Sequence, residues 1–143
     1  MSDAKADALG RVPLFSGLRR KELEYLTTRT DEVRVDAGRT LLRQGESGDG
    51  FYVLLEGEAD VEVDGRPRPM LRAGDFFGEI SMLDRGPATA TIITRSPARL
   101  MVMSHAQFRD AVKANDQILL RVLMVVAERL RRDDMERKAT PQA

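Results

Sequence analysis

In Gly74-Asp75-Phe76-Phe77-Gly78-Glu79-Ile80-Ser81-Met82-Leu83-Asp84-Arg85-Gly86-Pro87-Ala88-Thr89-Ala90-Thr91 the chain stops looking generic. An aromatic pair ends in glycine, and the residues after it, Glu79 to Leu83, suit one or two turns of helix. A Gly86-Pro87 turn then delivers Thr89 and Ala90 to a strand. The first amides of such a helix lack intrahelical acceptors and sit at its positive end, so they can cradle an anion. Gly78 would let a ligand approach the backbone, and Glu79 sets a carboxylate beside the same amides, where it can accept from a sugar hydroxyl. Phosphate plus ribose is therefore a chemically sensible ligand. An acid at a helix start is also an ordinary dipole partner worth about 0.3–1 kcal/mol, so Glu79 alone does not establish a site.

Upstream of this stretch the texture is strand-like. Val33 and Val35 alternate with Glu32 and Arg34, and Thr40–Leu42, Phe51–Leu55 and Ala59–Val63 follow as short β-rich runs punctuated by Gly38, Gly45, Gly48, Gly50 and Gly57. Asp64-Gly65 predicts a tight hairpin turn. The returning run carries Pro67 and Pro69, which donate nothing to a ladder and favour an irregular or edge strand. Downstream, Ala90–Thr94 and Leu100–Met103 read as a β pair joined across Ser96-Pro97.

Helices are expected at both ends. Leu18, Leu23 and Leu26 share one side of a short helix behind a flexible head, residues 1–11. Ser104 with Gln107 has capping-box spacing, and the helix that starts there should break near Asn115-Asp116 and restart. From Ile118 to Val126 apolar residues cover more than one stripe, which implies either deep burial or a partner helix across a dimer. Arg129 to Asp134 reads as a solvated helix end, and residues 133–143 as a polar tail. The expected organisation is one domain, residues 12–132, of α+β class with helices segregated at the ends.

The 143 residues carry 23 Lys plus Arg against 23 Asp plus Glu, so no net field draws the chain toward nucleic acid or an anionic membrane. There is no cysteine, which suits a reducing, cytoplasmic setting. The polar start lacks the apolar run of a secretory signal, and Ile118–Ala127 is far shorter than the roughly 20 residues of a membrane span. His105 is the only histidine, so clustered-histidine metal chemistry and a histidine-assisted nucleophile have no inventory; no metal site, cofactor or enzyme is expected.

The Gly74–Thr91 stretch closely resembles the phosphate-binding cassette of the cyclic-nucleotide-binding domain family. Pro13-Leu14-Phe15-Ser16-Gly17-Leu18 is similar to that family's N-terminal helical motif, and Gly45, Gly48, Tyr52 and Gly57 to the glycine and aromatic frame of its early strands. The resemblance covers roughly residues 14–130. It implies an eight-stranded jelly-roll barrel flanked by helices, which senses cyclic AMP or cyclic GMP without breaking a bond. By the same resemblance Gly78, Glu79, Ile80, Ser81, Ala88, Thr89 and Ala90 bind the ligand: Glu79 holds the ribose 2′-hydroxyl and the amides near Ile80 and Ser81 meet the phosphate. Val63, Leu71, Val125 and Arg129 are candidate base contacts, and the last helix moves over the base.

One position departs from the family. Where an arginine usually follows the cassette proline, Ala88 follows Pro87, and the lost charge-assisted fork is worth roughly 1.5–3 kcal/mol. Arg85 or Thr89 is a candidate phosphate substitute. The alternative is a degenerate barrel that no longer binds nucleotide and serves as a protein-interaction or dimerisation scaffold through Ile118–Leu130.

Overall fold

A computed structural model describes the backbone of residues 2–139 and the side chains of residues 4–133. Its strands form two antiparallel four-stranded sheets, ordered β1-β8-β3-β6 and β2-β7-β4-β5. These are β1 (Asp31–Val35), β2 (Thr40–Leu42), β3 (Phe51–Glu56), β4 (Glu58–Val63), β5 (Arg66–Arg72), β6 (Phe76–Phe77), β7 (Thr91–Thr94) and β8 (Ala98–Met103). Helices α1 (Ser2–Gly10) and α2 (Arg20–Thr27) precede them, α3 (Glu79–Asp84) interrupts them, and α4 (His105–Ala114) and α5 (Asp116–Ala139) follow. This is the expected α+β jelly-roll barrel with helices at its ends.

Two apolar clusters hold it together. The barrel interior packs Leu42, Leu54, Leu71, Phe77, Ile92 and Leu100, while Phe51, Phe76 and Met103 face a second cluster shared with α1, α2, α4 and α5. The alternation of β3 makes this division possible. Val53 and Phe51 enter the helical cluster, whereas Leu54 and Tyr52 join the barrel cluster, because successive strand residues point to opposite faces.

The local signals behave as their chemistry requires. Asp64 and Gly65 both take positive φ, 53° and 76°, closing the β4–β5 hairpin. The proline-bearing β5 is an edge strand whose register against β4 shifts between Ala59 and Val61. Ser104 Oγ accepts from the Gln107 amide at 3.1 Å and Gln107 Oε1 from the Ser104 amide at 2.9 Å, a complete capping box at the start of α4.

Three expectations need correction. Where a flexible head was expected over residues 1–11, Ser2–Gly10 form a packed helix: α1 buries Ala6 and Leu9, and Lys5 Nζ donates to the carbonyls of Thr27 and Thr30 at 3.0 and 2.8 Å. Ala6 and Leu9 are three apart, enough for one buried stripe on a short helix. Second, β7 and β8 do not pair. They lie in different sheets, because the Arg95 amide donates to Glu58 O and Ser96 Oγ accepts from the Glu58 amide, so the connection follows β4 before Pro97 crosses over. Third, the solvated end expected of Arg129–Asp134 is held at two points, Arg129 at the cassette and Asp133 by its ion pair with Arg68 of β5, while Leu130, Arg131 and Arg132 between them are exposed as expected. The helix runs on to Ala139, so the polar tail expected from residue 133 has helical backbone as far as that residue, and residues 140–143 lie outside the described residues.

Candidate functional site

Gly78 sets the cassette's shape. Its φ of 85° is left-handed, and a Cβ there would stand 2.4 Å from Gly50 O, so only glycine brings β6 into α3 against the β3 entry. The β2–β3 loop then wraps the turn that follows α3. The Ala88 amide donates to Glu46 O at 2.8 Å, the Gly45 amide to Ala88 O at 2.9 Å, and Ser47 bridges Pro87. His105 Nε2 meets Gly48 O at 3.0 Å and ties the same loop to the start of α4.

These bonds leave the first turn of α3 open. Among the described residues no backbone or side-chain acceptor takes the amides of Glu79, Ile80 or Ser81, and Gly78 offers no side-chain cap. Glu79 and Ser81 are buried, at 6% and 2% exposure, and Ile80 is half-buried. Ala88 is buried with Leu71 and Phe77 in the barrel cluster, and Ala90 packs on its edge. Both polar groups of the Ala88 backbone are already spent on the loop. Thr89 is exposed at the rim.

Of the four candidate base contacts only Val125 and Arg129 come together. Leu71 sits opposite Ala59 inside the barrel, but Val63 lies at the far, turn end of the same hairpin opposite Arg66. Val125 packs against the helical cluster and lines a cleft of about 330 Å³ with Pro13, Gly74 and Phe76. Arg129 lines the same cleft as Val125. Its Nη1 donates to Glu79 Oε2 at 3.0 Å, its Nη2 to Phe76 O at 2.6 Å, and its guanidinium lies 4.9 Å above the Phe76 ring. Arg85 is exposed at the far end of α3, in a left-handed conformation at φ 59°, with its amide donating to Ser81 O.

Two features were not legible as site elements. Tyr52 stacks on Phe77 with ring planes 6° apart and centroids 4.9 Å apart, and burial, followed by the nearby Asp49 charge, pushes its phenol above the usual 10.0. The loop around Ser47 and Gly48 was marked in sequence only by its glycines. Nothing in them announced that it grips the turn after α3.

Residues 32–115 match the family profile of the cyclic nucleotide-binding domain. The chain belongs to that family. Over 115 residues this cyclic nucleotide-binding domain is 32% identical to a "cAMP-dependent protein kinase regulatory subunit" of Aspergillus niger, covering 79% of the chain and 28% of the relative. The chain thus spans little more than a quarter of that protein. Among solved structures, the catabolite activator protein of Thermus thermophilus superposes with a TM-score of 0.79 at 23% identity, over 89% of this chain and 62% of that one. The regulatory subunit of a cAMP-independent protein kinase A from Trypanosoma brucei gives 0.79 at 21% identity, over 89% and 46%. These two likenesses concern the fold. Among the described residues, no helix of the domain is long and apolar enough to cross a membrane.

Proposed function

We propose that this domain senses a cyclic nucleotide, cyclic AMP or cyclic GMP, as a regulatory module that makes and breaks no covalent bond. Glu79 accepts from the ribose 2′-hydroxyl, and the amides of Ile80 and Ser81 receive the cyclic phosphate. Thr89, at the rim, and Leu71, in the barrel, border the remainder of the ligand. Binding then shifts the population of positions that α5 takes over the barrel mouth, by as much as the ligand prefers one position to another.

The carrying observation is a buried carboxylate beside three amides that no atom of the described residues accepts from. Unpaired donors in a folded domain cost free energy unless water or a ligand meets them, and an anion meets them best. Titration calorimetry with each nucleotide tests the reading. Saturable heat with either one supports it; no heat with both leaves the scaffold reading.

A second copy of the chain is the proposed partner of α5. Ile118 and Val122 face inward at 2% and 0% exposure, while Leu120, Leu123, Met124 and Leu130 stand 46–59% exposed. Leu120, Leu123, Ala127 and Leu130 follow the 3-4-3 spacing of a coiled-coil seam.

A further inference from the structure

We infer that Arg129 supplies, from α5, the positive charge that the cassette's own turn lacks at Ala88, so that its guanidinium serves the phosphate end of the ligand and not the base. The inference rests on the cyclic-nucleotide reading above. Ala88 is 5% exposed and uncharged, and its amide is committed to Glu46 O. The buried Glu79 carboxylate has Arg129 as its ion-pair partner among the described residues, at 3.0 Å. A cyclic phosphate arriving next to Glu79 would bring a second negative charge to a place where, among the described residues, Arg129 is the cation paired with that carboxylate. Arg129 is the charge that makes the pair tolerable, because a buried carboxylate is stable only when paired.

Its position is fixed, not incidental. The bond to Phe76 O, the ion pair to Glu79 and the stacking over Phe76 hold the guanidinium plane from three sides, and arginine forks of this kind suit oxyanions. A carboxylate oxygen has lone pairs to spare, so Glu79 can keep Arg129 and still accept a hydroxyl. Arg85, the other arginine near the turn, is less suited. It caps the opposite end of α3, six residues from Glu79 and thus about 9 Å along the helix.

Ligand charge and helix position are thereby linked. The phosphate is neutralised only while α5 is docked, and one turn beyond Arg129 the Asp133–Arg68 pair fastens the same helix to β5. Ligand binding accordingly favours the docked helix, and undocking α5 weakens ligand binding by the same factor.

The test is calorimetric titration of the full chain with cyclic AMP and cyclic GMP at low and high salt, using wild type, Arg129→Met, Arg129→Gln and Arg129→Lys, with the melting temperature of each recorded. Arg129→Met should bind roughly ten- to hundredfold more weakly and Arg129→Lys should recover part of the loss. The salt dependence separates charge from packing. In Arg129→Met, and in Arg129→Gln should the first variant fail to fold, affinity should rise with salt as repulsion between Glu79 and phosphate is screened, while wild type shows no such rise. Binding by Arg129→Met or Arg129→Gln equal to or tighter than wild type, or a salt dependence unchanged from it, overturns the inference alone. Wild-type protein that binds neither nucleotide overturns the sensing reading and this inference with it.

Discussion

Ser81 Oγ occupies the place where a side chain on Gly48 would begin: a Cβ there would lie 2.1 Å from that oxygen and 2.4 Å from Ser81 Cβ. The β2–β3 loop therefore rests directly on the first turn of α3. Gly48→Ala should destabilise the fold by about 1–3 kcal/mol, the usual range for overpacking. Ser81→Gly in the same chain removes both clashing atoms and leaves Ala88 N, at 3.7 Å, as the next neighbour. Chemical denaturation of the two single variants and the double should show the double closer to wild type than additivity allows; strict additivity would mean that the loop and helix do not touch through these atoms.

Glu79→Gln keeps the size of the side chain and removes its charge. It should weaken cyclic-nucleotide binding roughly ten- to hundredfold, the loss expected for a charge-assisted hydrogen bond. Titration of both nucleotides measures it. Unchanged affinity would reduce Glu79 to a partner for Arg129 and the α3 dipole.

Tyr52 provides a pH reporter within the barrel cluster. Because burial, and then Asp49, raises its phenol above 10.0, the folded domain holds that proton more tightly than the unfolded chain. The resulting stability is fully present below about pH 10 and is lost as pH climbs through the folded value. In a Tyr25→Phe variant all tyrosinate absorbance belongs to Tyr52, and its midpoint should lie above 10.0 in folded protein and near 10.0 in denaturant. Coincident midpoints would contradict the half-buried stack on Phe77.

The two faces of α5 should respond differently to substitution. Ile118→Ala, at a site 2% exposed, should cost about 2–5 kcal/mol in unfolding free energy. Leu123→Glu with Leu130→Glu should leave the monomer fold intact and convert a dimer to monomers in light scattering. A wild-type chain that is monomeric at high concentration would dismiss the second-copy reading.

The sequence carried the local part of this outcome because the information there is local. Gly78 before an acid, Asp64-Gly65 between alternating runs, prolines in the returning strand and Ser104 three before Gln107 each constrain backbone geometry within a few residues. Their positions were readable without the fold. The helix at the head was not legible for a related reason: Ala6 and Leu9 give too short a stripe to announce it, and both pack in the cluster shared with α2.

What spans sheets and helices was decided by tertiary structure. The residues of β7 and β8 suit pairing with each other as well as with other strands, but β7 pairs with β4, β8 pairs with β1 and β3, and Glu58 grips Arg95 and Ser96 between them. Arg129 is separated from Glu79 by 50 residues, and no spacing rule reaches that far. By itself the chain specified a glycine-opened cassette, a barrel to carry it and a family to which both belong. Folding alone determined which arginine meets the cassette acid, because that contact depends on the angle at which a long helix returns across the barrel, an angle set by packing summed over many distant residues.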